Sequence, residues 1–177
     1  MTFRPLVVGI ADLRRHAGTR RQFTESIVLP GLGISTAVVP SDAAIGVNVE
    51  LEALSNGLVA TGTVTVPWEG DCRRCLQLVR GESVAEIREI FEPRPTEGET
   101  YALGEDLVDL EPMVRDAALL ALPLAPLCSA DCSGPAPDLF PARTETNPSP
   151  ETLGSGGVDP RWAALGDLHF DSGDTGE

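Results

Sequence analysis

The chain has 177 residues, 27 acidic and 13 basic, for a formal net charge of −14. That length accommodates one domain with a sizeable core plus tails, and the acidity argues against a surface that tracks phosphate backbones throughout and for a basic partner. Every basic residue is arginine, so a Walker-type phosphate lysine, a Schiff-base lysine and a lysine general base are all excluded.

Residues 1–10 contain only a few consecutive apolar residues and no small-residue cleavage site, and no stretch approaches the ~20 apolar residues of a membrane span. A soluble cytoplasmic protein without a membrane partner is expected. Residues 7–10 read as a short strand, and 11–21 as a helical turn or loop broken at Gly18. Residues 1–23 carry Arg4, Arg14, Arg15, Arg20 and Arg21 against Asp12 alone. A segment this basic in an acidic chain is either a solvated face or the start of an arm for nucleic acid.

From Ile45 to Ala53, apolar residues alternate with Gly46, Asn48, Glu50 and Glu52, the period of two of a half-buried strand. Ser55-Asn56-Gly57 supplies turn chemistry, and a second strand follows over 58–66 with Thr61, Thr63 and Thr65 on one face. Pro67 to Gly70 is expected to end that strand. Cys72 and Cys75 then fall in the next turn, at a hairpin tip, before a third β-rich run over 76–91. A tight turn between strands aims two thiolates at one metal, as a zinc knuckle does.

Residues 92–109 read as an acidic solvated connection in which nothing fixes the geometry of Glu92, Glu97, Glu99, Glu105, Asp106 and Asp109. Asp109 suits the start of a helix whose first turn tolerates Pro112, with Met113, Val114, Ala117, Leu120 and Ala121 as its core stripe. Pro123 stops that helix, and an extended segment leads to Cys128 and Cys132. Residues 136–157 are so rich in Pro, Gly, Ser and Thr that a disordered linker is expected, followed by a short docking helix within 158–170 around Trp162, Leu165 and Leu168 and an acidic tail over 171–177. His16 and His169 sit in solvated surroundings and are poor general bases. The fold class expected is α+β: an antiparallel β-rich body over 1–135, built as a hairpin or meander, with a few helices.

Cys72, Cys75, Cys128 and Cys132 are the only cysteines. As two short-spaced pairs they suit one tetrahedral four-thiolate zinc site. Two disulfides would need an exported chain. A Cys-x-x-Cys redox centre, with Arg73 and Arg74 lowering a thiol pKa, usually opens a helix after a strand, and that context is missing here. Four unligated thiols are the remaining alternative.

Several blocks together resemble the YceD-like family, the large ribosomal RNA subunit accumulation proteins, in its actinobacterial form. They are Asp12-Leu-Arg-Arg-His-Ala-Gly-Thr-Arg-Arg; the run from Gly62 through Pro67-Trp-Glu-Gly-Asp-Cys-Arg-Arg-Cys-Leu; the run from Asp109-Leu-Glu-Pro-Met to Cys128; and Asp159-Pro-Arg-Trp-Ala-Ala-Leu. Many relatives continue after the second pair with Gly-Leu-Cys-x-x-Cys-Gly, whereas this chain reads Ser133-Gly-Pro-Ala-Pro-Asp-Leu. The resemblance implies a role in accumulation or assembly of large-subunit rRNA and carries no catalytic residue. The expected function is therefore a non-catalytic factor that binds large-subunit rRNA and/or a basic ribosomal protein and needs no small-molecule substrate. Arg14, Arg15, Arg20, Arg21, Arg73 and Arg74 are the phosphate-contact candidates. The alternative from a different class is a thiol oxidoreductase or redox sensor working through Cys72 and Cys75.

Overall fold

The computed structural model describes residues 5–139. The strands are β1 (Val7–Gly9), β2 (Arg20–Ile27), β3 (Ile45–Leu54), β4 (Gly57–Asp71), β5 (Leu78–Glu92), β6 (Tyr101–Ala102) and β7 (Leu107–Asp109); a 3₁₀ turn spans Leu13–Arg15 and helix α1 spans Glu111–Ala121. The sheet order is β2-β3-β4-β5-β6, antiparallel except for the parallel β5–β6 contact, and β1 pairs with β7 in a separate two-stranded ribbon. This is the expected α+β body. The expected docking helix and acidic tail lie outside the described residues, as does all of the expected linker beyond Leu139.

Alternation builds the core. Ile45, Val47, Val49, Leu51 and Ala53 of β3 and Leu58, Ala60, Val64 and Val66 of β4 are all buried on one sheet face. On the other face Arg20 of β2 bridges Glu50 and Glu52 of β3, at 3.4 and 3.1 Å. Helix α1 covers the apolar face of β4 and β5 with Met113, Val114, Ala117 and Ala118. Leu120, expected in that stripe, is 86% exposed, and Ala118 takes its place. Asp109 Oδ1 accepts the Glu111 N–H at 2.9 Å, so the helix start is held from one residue further out than a usual N-cap.

Three expectations change. Pro67 does not end the second strand, because β4 runs to Asp71. β3 pairs with β4 only as far as Thr65, and the Glu69 N–H, on the same side as the proline nitrogen, bonds outward to the Val38 carbonyl. The missing proline donor thus falls beyond the reach of β3, where it breaks no ladder. Residues 11–21 give way at Arg20 to strand β2, with Gly18 at φ +84° making the turn into it. The 92–109 connection is not loop throughout, since it contains β6 and β7.

Candidate metal centre and arginine contacts

The β4–β5 ladder continues to the pair Asp71–Leu78, which leaves residues 72–77 as the hairpin tip. Within it the Cys72 N–H donates to the Gln77 carbonyl at 2.8 Å and the Leu76 N–H to the Cys72 carbonyl at 2.9 Å. This turn forces Leu76 to φ +60°, in the left-handed region. There its Cβ crowds the following carbonyl, at a cost of about 1–2 kcal/mol.

The second cysteine pair is brought to this tip by contacts that do not involve sulfur. The Arg73 N–H donates to the Pro126 carbonyl at 2.9 Å, Thr36 Oγ1 donates to the Pro123 carbonyl at 3.0 Å, and Arg74 Nη1 donates to the carbonyls of Ala130 and Cys132 at 2.9 and 3.0 Å. Gly70 allows the close approach: a Cβ there would stand 2.4 Å from the Thr36 oxygen and 3.2 Å from Pro126 Cγ.

All four sulfurs consequently lie within 4.8 Å of one another. Cys72 Sγ is 3.8 Å from Cys132 Sγ, and Cys75 Sγ is 3.7 Å from Cys128 Sγ. A tetrahedral ion with bonds near 2.3 Å sets its ligands about 3.8 Å apart, so two edges already fit and the longest must close by about 1 Å. Cys72 and Cys132 are buried, Cys75 is half-buried and Cys128 is exposed, which places the cluster at the surface with one side sealed.

The charges within the cluster are unequal. The Cys72 thiol is lowered to about 6, chiefly because its sulfur accepts the backbone N–H of Cys75 and then that of Cys128, against an opposing effect of burial. Cys128 is pushed up to about 12 by its hydrogen bonds with the Cys132, Cys75 and Cys72 sulfurs. Cys75 accepts the Gln77 N–H, which lowers it, yet burial and the neighbouring Cys72 and Cys132 sulfurs make the net direction upward. Four adjacent thiols resist ionising together because each new negative sulfur repels the rest, and a divalent cation removes that obstacle. The backbone N–H donors around Cys72 then stabilise the ligated thiolate.

Relieving the backbone at the tip should help the site. Leu76 is 72% exposed, so Leu76→Gly removes the left-handed strain and little packing, against a loss of about 0.5–1 kcal/mol in chain entropy. A melting midpoint higher by about 2–4 °C is expected from a thermal melt. A clear fall would refute this account of the turn.

The six sequence-selected arginines do not form one patch of free guanidinium groups. Arg14 donates to the carbonyls of Gly104 and Glu105, Arg20 pairs with Glu50 and Glu52, and Arg21 donates to the Gly9 carbonyl at 2.6 Å and to Asp12 Oδ2 at 2.8 Å. Arg74 is committed to the second cysteine segment. The side chains of Arg15 and Arg73 have no partner among the described residues. His16 is exposed, in keeping with its sequence reading. Thr36, Gly70, Arg74 and Leu76 are structural parts of the centre. Of these only Arg74 is marked by the sequence as a site residue, for phosphate contact or for lowering a thiol pKa, and no local signal reveals a contact across 56 residues such as the one from Arg74 to Ala130.

No solved structure matches the chain. Proteins of Mycobacterium tuberculosis and Mycobacterium bovis, both described as uncharacterized, are 31% identical to it over 97% of this chain and 84% of their own length. An uncharacterized protein of Mycobacterium leprae is 28% identical over 93% of this chain and 77% of its own. Residues 60–169, which contain all four cysteines, match the family model described as large ribosomal RNA subunit accumulation protein YceD, and the chain belongs to that family.

Proposed function

We propose that the protein is a non-catalytic, cytoplasmic factor in large ribosomal subunit biogenesis, contacting large-subunit rRNA and/or a basic ribosomal protein, with Cys72, Cys75, Cys128 and Cys132 holding a structural zinc ion. The observation that carries it is the convergence of all four thiols on one set of sulfurs within 4.8 Å, joining two segments of a chain whose family is described by large-subunit rRNA accumulation. Such a centre acts as a clasp. Cys72 is fully buried and lies against Cys132, an arrangement that favours ligation over exchange between an exposed dithiol and a substrate disulfide. The chain also lacks lysine, and its one described histidine is solvated.

The test is sedimentation of cell extracts on a gradient, with crosslinked RNA and protein identified in each fraction, beside the rRNA level after depletion. Association with large-subunit particles and a selective fall in large-subunit rRNA are expected. Recovery only outside ribosomal particles, with rRNA unchanged, would overturn the reading. Arg15 and Arg73 are the phosphate contacts that the geometry favours, because the other four arginines already bond within the fold. In binding to large-subunit rRNA, Arg15→Ala with Arg73→Ala should lower the slope of log affinity against log salt by about two. An unchanged slope would remove both residues from the interface.

A further inference from the structure

β4 is paired on both sides, whereas β5 meets a second neighbour only where Phe91 and Glu92 lie beside Tyr101 and Ala102 of β6. From Leu78 to Ile90 its other edge has no strand partner among the described residues. A row of unpaired N–H and C=O groups is a template for an added strand, and soluble proteins usually blunt it with proline, lysine or a bulge. β5 contains no proline, and its register with β4 runs unbroken from Leu78 to Phe91. Between Leu78 and Ile90 it carries Glu82, Glu86 and Glu89 against Arg88 and an Arg80 already paired with Glu69, a small acidic excess that favours a partner of the opposite sign.

Beside this edge runs a groove whose far wall is α1. Two cavities of about 510 and 270 Å³ lie side by side along it and share Glu89, Tyr101, Asp116 and Leu120 as lining residues. Ala85, Ile87, Met113 and Ala117 make its apolar lining, and Leu120 stands exposed on the rim. Glu86, Glu89, Glu99 and Asp116 also line it, and no arginine does. The Tyr101 hydroxyl donates to Asp116 Oδ2 at 2.9 Å, which fixes the carboxylate at the mouth.

We propose that the free edge of β5 and this groove together receive a basic, extended segment of another protein, added to the sheet as a further strand. Its backbone continues the ladder; on the α1 side its side chains lie against Ala85 and Leu120 and its arginine or lysine residues meet Glu89 and Asp116, while on the opposite face they lie beside Glu82 and Glu86. Charge decides among occupants. Residues 140–177 of this chain carry seven acidic residues against two arginines, a second copy brings a net charge of −14, and RNA brings phosphates, so each meets like charge at the groove. The inference rests on the reading of the protein as a non-catalytic binding factor and narrows its protein partner to a chemical class.

The test uses the purified full chain and fluorescent peptides of about nine residues, long enough for a strand of ~30 Å. An alternating Arg-Val peptide should bind, and the same peptide N-methylated at alternate residues should bind at least about tenfold more weakly, because it cannot complete a ladder. An alternating Glu-Val peptide should bind as weakly. Amide signals of residues 78–90 and 113–121 should move most. Glu86→Lys with Glu89→Lys should weaken the Arg-Val peptide about tenfold at unchanged circular dichroism, and if that variant fails to fold, the N-methyl comparison on the native chain decides alone. Equal binding of the N-methylated peptide overturns the proposal, as do shifts confined to other residues or occupation of the same edge by an RNA oligonucleotide or a second copy. Failure of peptide binding while depletion still lowers large-subunit rRNA overturns the edge proposal alone. Peptide binding without any effect on rRNA overturns the ribosomal reading alone.

Discussion

Cys72→Ser is expected to lower bound zinc and thermal stability together, with no separate catalytic defect. Cys72 is fully buried, and its sulfur accepts the backbone N–H of Cys75 at the hairpin tip and that of Cys128, which lower its thiol to about 6. A serine hydroxyl in its place supplies neither the soft thiolate nor the negative charge. With free zinc about a thousandfold above its dissociation constant, the ion contributes about 4 kcal/mol to the folded state. For a body of this size that corresponds to a fall of roughly 10 °C or more in melting midpoint. The β-sheet core, centred on buried residues such as Val49, Leu58 and Phe91, lies outside the cluster and should keep the variant folded at room temperature. A chelator should reproduce the fall in the native protein and leave Cys72→Ser nearly unchanged. If purified native protein carries no metal after expression in zinc, or chelation leaves its midpoint in place, the clasp does not exist.

The parts of this molecule that are legible in the sequence are those where one local period or spacing carries the information. The β3–β4 hairpin shows itself because apolar residues from Ile45 to Ala53 alternate without interruption and Asn56-Gly57 closes the turn. The cysteine pairs show themselves by spacing alone. β2 does not, because of its residues only Ile27 is buried; a strand solvated over most of its length has no alternation to read. β6 and β7 fail for another reason. They are two and three residues long and are fixed by pairing with β5 and β1, so their existence depends on tertiary partners. Charge counting does not show which arginines bond within the fold: Arg20 lies directly across from Glu52 in the β2–β3 register, a pairing that composition cannot show.

Gly70→Ala is expected to damage the metal centre without touching a ligand. Gly70 lies two residues before Cys72, paired with Val79 of β5, and the Thr36–Ala37 segment and Pro126 crowd against its α-carbon. An added Cβ would stand 2.4 Å from the Thr36 carbonyl oxygen and 3.3 Å from Ala37 Cα. These are backbone atoms, so no rotamer change relieves the contact and either the strand or the Thr36 segment must move. Overpacking of this kind costs about 1–3 kcal/mol. The movement also acts on the bonds that carry Cys128 and Cys132 to the tip, since Pro126 accepts the Arg73 N–H and Thr36 donates to Pro123. Loss of supporting contacts around a metal typically weakens it about 10–100-fold, and zinc affinity should fall by that order with all four cysteines intact. Gly9→Ala is the control: its Cβ meets nothing within 4 Å, and both midpoint and zinc affinity should stay at the native values. Competition with a chromogenic chelator measures the affinities. Native zinc affinity in Gly70→Ala would show that the centre forms independently of the close packing at Gly70, and the hairpin tip would then have to hold its metal without support from the Thr36 and Pro126 segments.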